Sequence, residues 1–263
     1  MPRSRQMLLT IVVLCATAYI GLCLFFFFAQ RSFIYFPRQR QNNRVEIIKI
    51  DTQQAVVELS ASNLKNDRAL LYFGGNAEDV SLSLPEYSLE LSGVALYMMH
   101  YRGYGGSTGK PTEHDLRKDA LAVYNRIRDR HPEILIIGRS LGSSIAIGVA
   151  AKVNPTGLVL ITPFESIQNI AQQIAPFLPI RLLIKDPYVS VQFASKIQCP
   201  TLVLAASSDE VVPATNTARL VKALAPGITT LQIIPETNHN SISGNTLYWS
   251  CMRRFAETIF HTP

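Results

Sequence analysis

The chain has 263 residues, 48% of them hydrophobic, and a formal net charge of +6 at pH 7. Six arginines and no acidic residue precede Val45, whereas basic and acidic residues balance in the rest of the chain. A globular part without a basic excess argues against a nucleic-acid partner. The cysteines and histidines show no metal-ligand spacing, and we therefore expect neither a metal nor a cofactor.

The N-terminal region contains a long apolar segment, residues 7–28, that carries no charge. At ~1.5 Å per residue, a helix of this length reaches ~33 Å, enough to cross the hydrocarbon core of a bilayer. A cleaved signal peptide would usually have a shorter apolar region, about 7–15 residues. We predict a retained single-pass membrane anchor at 1–29 and one domain at 30–263. Arginines flank both ends, and their count favours a cytosolic domain, although the opposite orientation stays open.

Apolar runs after residue 44 alternate with amphipathic segments in a way that predicts an α/β fold. From the third strand-like run onward, helical segments separate the strands, which is typical of a parallel sheet. The first two runs have no helix between them and should pair in antiparallel fashion. The predicted strands are 45–51, 55–62, 69–73, 94–100, 134–138, 157–162, 201–206 and 230–235, and the predicted helices are 77–91, 114–131, 141–153, 190–197, 214–225 and 242–260.

A serine stands at the apex of a predicted strand–turn–helix, in the sequence Gly138-Arg139-Ser140-Leu141-Gly142. A G-x-S-x-G in this context is the pattern of a nucleophile elbow, where a tight turn pushes the serine hydroxyl out of the sheet edge. Glycines are needed because a Cβ two residues from the serine would crowd the strand or the helix. The alternative is an ordinary strand–helix turn. We take Ser140 as the candidate nucleophile.

A nucleophilic serine needs a histidine base and an orienting acid, in the chain order Ser, Asp or Glu, His. His239 is the only histidine after Ser140 that is not at the extreme C-terminus, and it follows a predicted strand. Asp209 comes just after the strand at 201–206, where catalytic groups gather in α/β sheets. The adjacent Glu210 is the rival for the acid. We predict the triad Ser140, Asp209 and His239.

An oxyanion hole should complete the site. An elbow of this kind uses the backbone N–H after the nucleophile, here Leu141, and one from the loop after the third strand. That loop reads Gly74-Gly75-Asn76-Ala77, and the two glycines allow a close approach of backbone to substrate. We select Asn76 as the second donor, while noting that it could also cap the helix that follows.

These segments together resemble the α/β-hydrolase fold, and more narrowly its membrane-anchored serine aminopeptidase-like and depalmitoylase-like members. The resemblance covers roughly residues 30–261. It departs from the family pattern at two positions: Gly74 stands where the family usually carries a histidine, and His100 where it usually carries an aspartate. The motifs that carry the resemblance are Phe33-Ile34-Tyr35-Phe36-Pro37, Gly74-Gly75-Asn76-Ala77, Tyr101-Arg102-Gly103-Tyr104-Gly105, the elbow, Thr162-Pro163-Phe164-Glu165-Ser166, Cys199-Pro200-Thr201-Leu202-Val203 and Asn238-His239-Asn240.

The resemblance implies a short helical cap at about 164–186, because this fold inserts its cap after the sixth strand. Ile167, Ile170 and Ile174 recur there at helical spacing, so they should either cover the acyl pocket or pack on the domain. The resemblance further implies a serine hydrolase that cleaves ester or thioester bonds of small-molecule or lipid-like acyl substrates. The alternatives are an aminopeptidase-like serine peptidase and, less favoured, a non-catalytic binding module on a hydrolase scaffold.

Overall fold

The computed structural model describes residues 2–52 and 54–261 and contains one eight-stranded sheet with the order β1-β2-β4-β3-β5-β6-β7-β8. β2 runs antiparallel to both β1 and β4, and every other pair is parallel. All eight predicted strands and the mostly parallel α/β architecture are therefore confirmed. The strands are β1 (Glu46–Asp51), β2 (Val56–Ser62), β3 (Arg68–Phe73), β4 (Ala95–Met99), β5 (Glu133–Arg139), β6 (Gly157–Ile161), β7 (Thr201–Ala206) and β8 (Thr229–Ile234).

Helices connect and flank the strands, close to the predicted ranges. The segment 190–197 is shorter than predicted, because only one helical turn forms before the chain continues through tight turns at Lys196 and Ile197. A 3-10 turn at Ile242–Gly244 precedes the last helix. The helices are α1 (Pro2–Ile34), α2 (Val80–Glu90), α3 (Glu113–Arg128), α4 (Leu141–Val153), α5 (Ile167–Ile174), α6 (Ile180–Leu183), α7 (Val191–Ala194), α8 (Ala214–Ala223) and α9 (Thr246–His261).

The central strands are buried on both faces, as their uninterrupted apolar sequences require. Successive side chains of a strand point to opposite faces, so that Leu71 and Phe73 of β3 belong to one core with α3 and α4. Leu70 and Tyr72 belong to a second core with α2 and α9. Because β3, β5, β7 and β8 all run parallel, their carboxyl ends lie at one edge of the sheet, where the loops that follow them carry the predicted site residues.

The N-terminal helix α1 is long and apolar enough to cross a membrane, by length and composition. It continues to Ile34, past the boundary that we predict at residue 29. The most apolar part of α1 is not buried in the protein, whereas Ile34 and the following Tyr35 join the core of the domain. The end of α1 is thus continuous with the folded domain, and α1 also contacts the segment after α5, where Tyr19 Oη donates to the Phe177 carbonyl (2.9 Å).

Candidate active site

Ser140 occupies the turn between β5 and α4, with the backbone strain expected of a nucleophile elbow. Its φ is +50°, a left-handed value that non-glycine residues adopt rarely. The N–H of Ser140 donates to the Ile161 carbonyl (2.8 Å), which fixes the turn against β6. A Cβ at Gly138 would collide with the backbone of Gly142, and one at Gly142 would collide with the Phe73 carbonyl. Both glycines of the motif are therefore required by packing.

The three predicted triad residues come together in one hydrogen-bonded chain. His239 Nε2 lies 2.9 Å from Ser140 Oγ, and His239 Nδ1 lies 2.9 Å from Asp209 Oδ2 and 3.0 Å from Oδ1. Asp209 Oδ1 also accepts from the backbone N–H groups of Val211 (2.9 Å) and Val212 (2.7 Å). The side chains of His239 and Asp209 are each 8% exposed. Their shielding from water strengthens the electrostatic interactions among Ser140, His239 and Asp209.

The rival residues lie elsewhere or are engaged by other partners. Glu210 is exposed to solvent, next to Asp209. The buried His100 lies 2.8 Å from Ser60 Oγ through its Nε2, and His131 lies 2.7 Å from Tyr97 Oη. Burial lowers the pKa of His100 to about 4. The contacts of His100 and His131 are thus with other core residues, whereas His239 contacts Ser140 at the elbow.

The loop after β3 brings Asn76 beside the elbow. The Asn76 side-chain amide donates to the Ile34 carbonyl (2.9 Å), and the backbone carbonyl of Asn76 accepts from Tyr104 Oη (2.6 Å). Asn76, Ser140 and Leu141 line the same cavity. Leu141 is the first residue of α4, and the first N–H groups of a helix have no intrahelical acceptor. Both predicted oxyanion donors thus border the space in front of Ser140.

Asn76 is not the cap of the next helix, and that part of our expectation is wrong. α2 begins at Val80, and Asp79 caps it by accepting from Ser81 N–H (3.1 Å). The reason is that the Asn76 side chain is already bonded to the end of α1. Asn76 therefore links the N-terminal helix to the loop beside the elbow.

Glu78 is a site residue that the sequence did not single out. Its Oε2 accepts from Gly75 N–H (2.8 Å), and Oε1 accepts from Tyr72 Oη (2.9 Å) and Ser83 Oγ (2.8 Å). Burial, with the nearby Glu78 charge as a second cause, raises the pKa of Tyr72 well above its usual value, so Tyr72 remains a donor. The only sequence signal was an acidic residue soon after two glycines, which does not reveal these contacts.

Val80 and the same carboxylate together leave no room for a side chain at Gly74, the glycine that departs from the family pattern. A Cβ at Gly74 would lie 2.7 Å from Val80 Cγ1 and 3.0 Å from Glu78 Oε2. Arg139, the second residue of the elbow motif, approaches Glu78 at 4.0 Å and the carbonyls of His239 (3.5 Å) and Asn240 (3.4 Å). Glu78 and Arg139 therefore tie the Asn76 loop, the elbow and the histidine loop together from behind the site.

A cavity of about 420 Å³ opens in front of Ser140 and is lined almost entirely by apolar side chains. Its walls come from the elbow, from the cap segment 164–186 and from the last turns of α1. Ile167 and Ile170 pack against the domain core and also line the cavity, while Ile174 lines it and is 77% exposed. The cap thus covers the site and packs on the domain at once. α1 contributes Phe26, Gln30, Phe33 and Ile34.

Comparison with known proteins identifies the family. Residues 82–186 match the family model described as serine aminopeptidase, S33. The chain is 31% identical to the uncharacterized protein Rv2307c of Mycobacterium tuberculosis over 98% of each chain. It is 28% identical to the α/β-hydrolase domain-containing protein WAV2 of Arabidopsis thaliana, over 72% of this chain and 69% of that protein. The chain belongs to the α/β-hydrolase superfamily.

One further relative and one solved structure are similar to this hydrolase. A membrane protein of Saccharomyces cerevisiae, YNL320W, is 26% identical over 76% of this chain and 75% of that one. Among solved structures, the esterase Est1E of Butyrivibrio proteoclasticus, with ferulic acid bound, superposes with a TM-score of 0.67 at 19% identity, over 82% of this chain and 100% of that one. The superposition shows the shared fold.

The described residues offer this hydrolase no group of three or more His, Cys, Asp or Glu side chains that could hold a metal ion. The four cysteines are free thiols.

Proposed function

We propose that this protein is a serine hydrolase that cleaves carboxylic ester or thioester bonds of acyl, lipid-like substrates through an acyl-enzyme intermediate. The observation that carries the proposal is the unbroken hydrogen-bonded chain from Ser140 through His239 to Asp209 at the base of an apolar cavity. Such a chain is the arrangement that activates a serine hydroxyl as a nucleophile.

The proposed reaction follows from the atoms in contact. His239 Nε2 takes the proton of Ser140 as Oγ attacks the substrate carbonyl, while Asp209 holds the proton on Nδ1 and stabilises the imidazolium. The N–H groups of Leu141 and Asn76 donate to the oxygen that becomes negatively charged. The imidazolium then protonates the leaving alcohol or thiol. Water attacks the acyl-enzyme by the same route in reverse.

The substrate class is argued from the cavity wall. Among the residues that the structure describes, no charged side chain lines it, and the polar ones are Gln30, Asn76 and Ser140. Gln30 is already engaged, because its side-chain amide donates to the Phe27 and Leu183 carbonyls and its oxygen accepts from Lys185 N–H. A long apolar wall with no free charge favours an aliphatic acyl chain.

An aminopeptidase activity is less well supported, because it needs an acidic group that is free to bind a substrate amine. The two acidic residues near the cap are Glu165 and Asp186. Glu165 pairs with Arg219 (2.7 Å), and Asp186 pairs with Arg31 (2.7 Å) and accepts from Glu113 N–H (3.1 Å). Neither carboxylate borders the cavity. A purely non-catalytic role would not account for the hydrogen bonds that align Ser140, His239 and Asp209.

The protein is also proposed to be held in a membrane by α1, rather than to lose that helix as a signal sequence. The last turns of α1 wall the cavity, and Arg31 bonds to the buried Asp186. Removal of α1 would open the cavity and leave that carboxylate unpaired, which is costly for a buried charge. The membrane designation of the yeast relative agrees with this proposal.

The proposed function is tested by turnover of p-nitrophenyl esters and S-acyl thioesters of rising chain length by the full-length protein in detergent. The expected result is that kcat/KM rises with chain length until the chain fills the cavity, and that Ser140→Ala abolishes turnover. Ser250→Ala, a change of an exposed serine on α9, is the matched control and should retain full activity. Turnover that survives Ser140→Ala, or no turnover of any ester or thioester, would overturn the proposal.

A further inference from the structure

The outer tip of the cap exposes large apolar side chains. Ile174 is 77% exposed, Phe177 62% and Leu182 82%. Between residues 167 and 184 the only charged side chain is Arg181, and there is no acidic residue. Exposed apolar clusters of this kind mark surfaces that contact a partner or a membrane. We call Ile174, Phe177 and Leu182 the cap tip.

The cap tip is attached to the side of α1. Tyr19 Oη donates to the Phe177 carbonyl (2.9 Å), and Gln30 Nε2 donates to the Leu183 carbonyl (2.9 Å). The cap therefore lies alongside α1 over the segment from Gln30 to Tyr19, toward the N-terminus of that helix. At ~1.5 Å per residue this separation corresponds to ~16 Å along the helix axis.

Charged side chains locate the level at which α1 would leave a membrane. Arg31 is the first charged residue after the apolar stretch. Lys185 on the cap contacts the last turns of that stretch, because its N–H donates to Gln30 Oε1 (2.6 Å) and its Nζ lies 4.0 Å from the centre of the Phe27 ring. Lys and Arg at the ends of a spanning helix lie at the headgroup level. Tyr19, and with it Phe177, then lies ~16 Å deeper, about halfway through a ~30 Å hydrocarbon core.

We propose that the cap tip is inserted into the hydrocarbon of the leaflet beside α1, and that the acyl chain passes from the bilayer directly into the cavity. Ile174 is both exposed at the tip and part of the cavity wall, so it stands where lipid and cavity meet. Phe26 and Phe33 of α1 form the facing wall. Insertion itself depends only on α1 being a membrane helix, while the acyl route rests on the proposed function.

Insertion is tested without any reference to catalysis. Full-length Phe177→Trp protein is reconstituted in phosphatidylcholine vesicles whose acyl chains are brominated, which quenches tryptophans in contact with them. The native protein has a single tryptophan, Trp249, which is buried, and it supplies the baseline. Leu89→Trp is the matched control, because Leu89 is 79% exposed on α2, across the sheet from the cap side.

The expected result is a large loss of fluorescence for Phe177→Trp in brominated vesicles and none beyond the baseline for Leu89→Trp. Equal quenching of the two variants, or no quenching of Phe177→Trp, would refute insertion. The absence of quenching for Phe177→Trp is also what we would expect if a second copy of the chain covered the cap tip. These readouts stand whether or not the protein is a hydrolase.

The route of the substrate is tested with Phe177→Asp, which places a charge in the inserted tip at a position that does not line the cavity. The expected result is a loss on the order of tenfold on long-chain esters embedded in vesicles, since charges are strongly disfavoured in hydrocarbon, with unchanged turnover of a soluble short-chain ester. Leu89→Asp should change neither activity. An equal loss on both substrates would contradict the route. If the native protein cleaves no ester at all, the proposed function fails while the quenching result still decides insertion.

Discussion

Asp209→Asn should disable the enzyme through the tautomer of His239 while preserving the fold. Asp209 Oδ1 accepts from Val211 and Val212 N–H, so the asparagine oxygen is held there by the same two donors. The asparagine amide then replaces Oδ2 and donates toward His239 Nδ1, 2.9 Å away. An Nδ1 that accepts a hydrogen bond carries no proton, so the proton moves to Nε2. Nε2 faces Ser140 Oγ at 2.9 Å and can no longer accept the serine proton.

The expected loss is about 10⁴-fold in kcat, as in other triads with the wrong tautomer, which corresponds to about 5 kcal/mol of transition-state stabilisation. The assay is steady-state hydrolysis of a short-chain p-nitrophenyl ester, with thermal unfolding to verify that both proteins fold. Glu210→Gln removes the same charge from the neighbouring exposed residue and should stay within about twofold of the native rate. A near-native rate for Asp209→Asn, or a matching loss for Glu210→Gln, would refute the reasoning.

Three other results are expected. Glu78→Gln should lower kcat by about tenfold or more with little change in KM, because the carboxylate accepts from Gly75 N–H and so holds the loop that carries the proposed oxyanion donor Asn76. The exposed Glu86→Gln should leave both kinetic constants unchanged. An effect of Glu78→Gln on KM alone would argue against this role. Ile170→Gln should raise KM about tenfold for long-chain esters only, since a polar group then meets the acyl chain in the cavity. Parallel losses on short-chain esters would mean that the packing of Ile170 on the core, and not its contact with the acyl chain, accounts for the effect. His100 has a pKa lowered to about 4 by burial, so the unfolded chain binds its proton first as the pH falls. Stability should therefore decline between about pH 6.5 and 4, by up to about 3 kcal/mol, and melting curves of His100→Asn should show a shallower decline; parallel declines would exclude His100 as the cause.

The sheet could be predicted because its determinants are local. Each strand is a short apolar run bounded by turn residues, and the elbow is a contiguous motif whose glycines are required by their immediate neighbours. The choice of His239 was also accessible, because chain order and the small number of histidines left one candidate.

The contacts that hold the loops around Ser140 in place could not be predicted, because they join segments that are distant in the sequence. Glu78 lies 4.0 Å from Arg139 of the elbow, and Arg139 in turn contacts the carbonyl of His239, which lies 100 positions further along the chain. The end of α1 looked like a simple continuation of an anchor, yet Phe26 and Phe33 line the cavity. An apolar residue in a membrane-length helix gives no sign in the sequence of whether it faces lipid or substrate.

The central claim is that Ser140 is the nucleophile of a serine hydrolase, and covalent labelling tests it most directly. The full-length protein is treated with a fluorophosphonate, digested and mapped by tandem mass spectrometry. We expect one adduct, on Ser140, with labelling abolished by Ser140→Ala and strongly slowed by His239→Ala, which removes the base 2.9 Å from Oγ. An adduct on another serine, or labelling that survives Ser140→Ala, would contradict it.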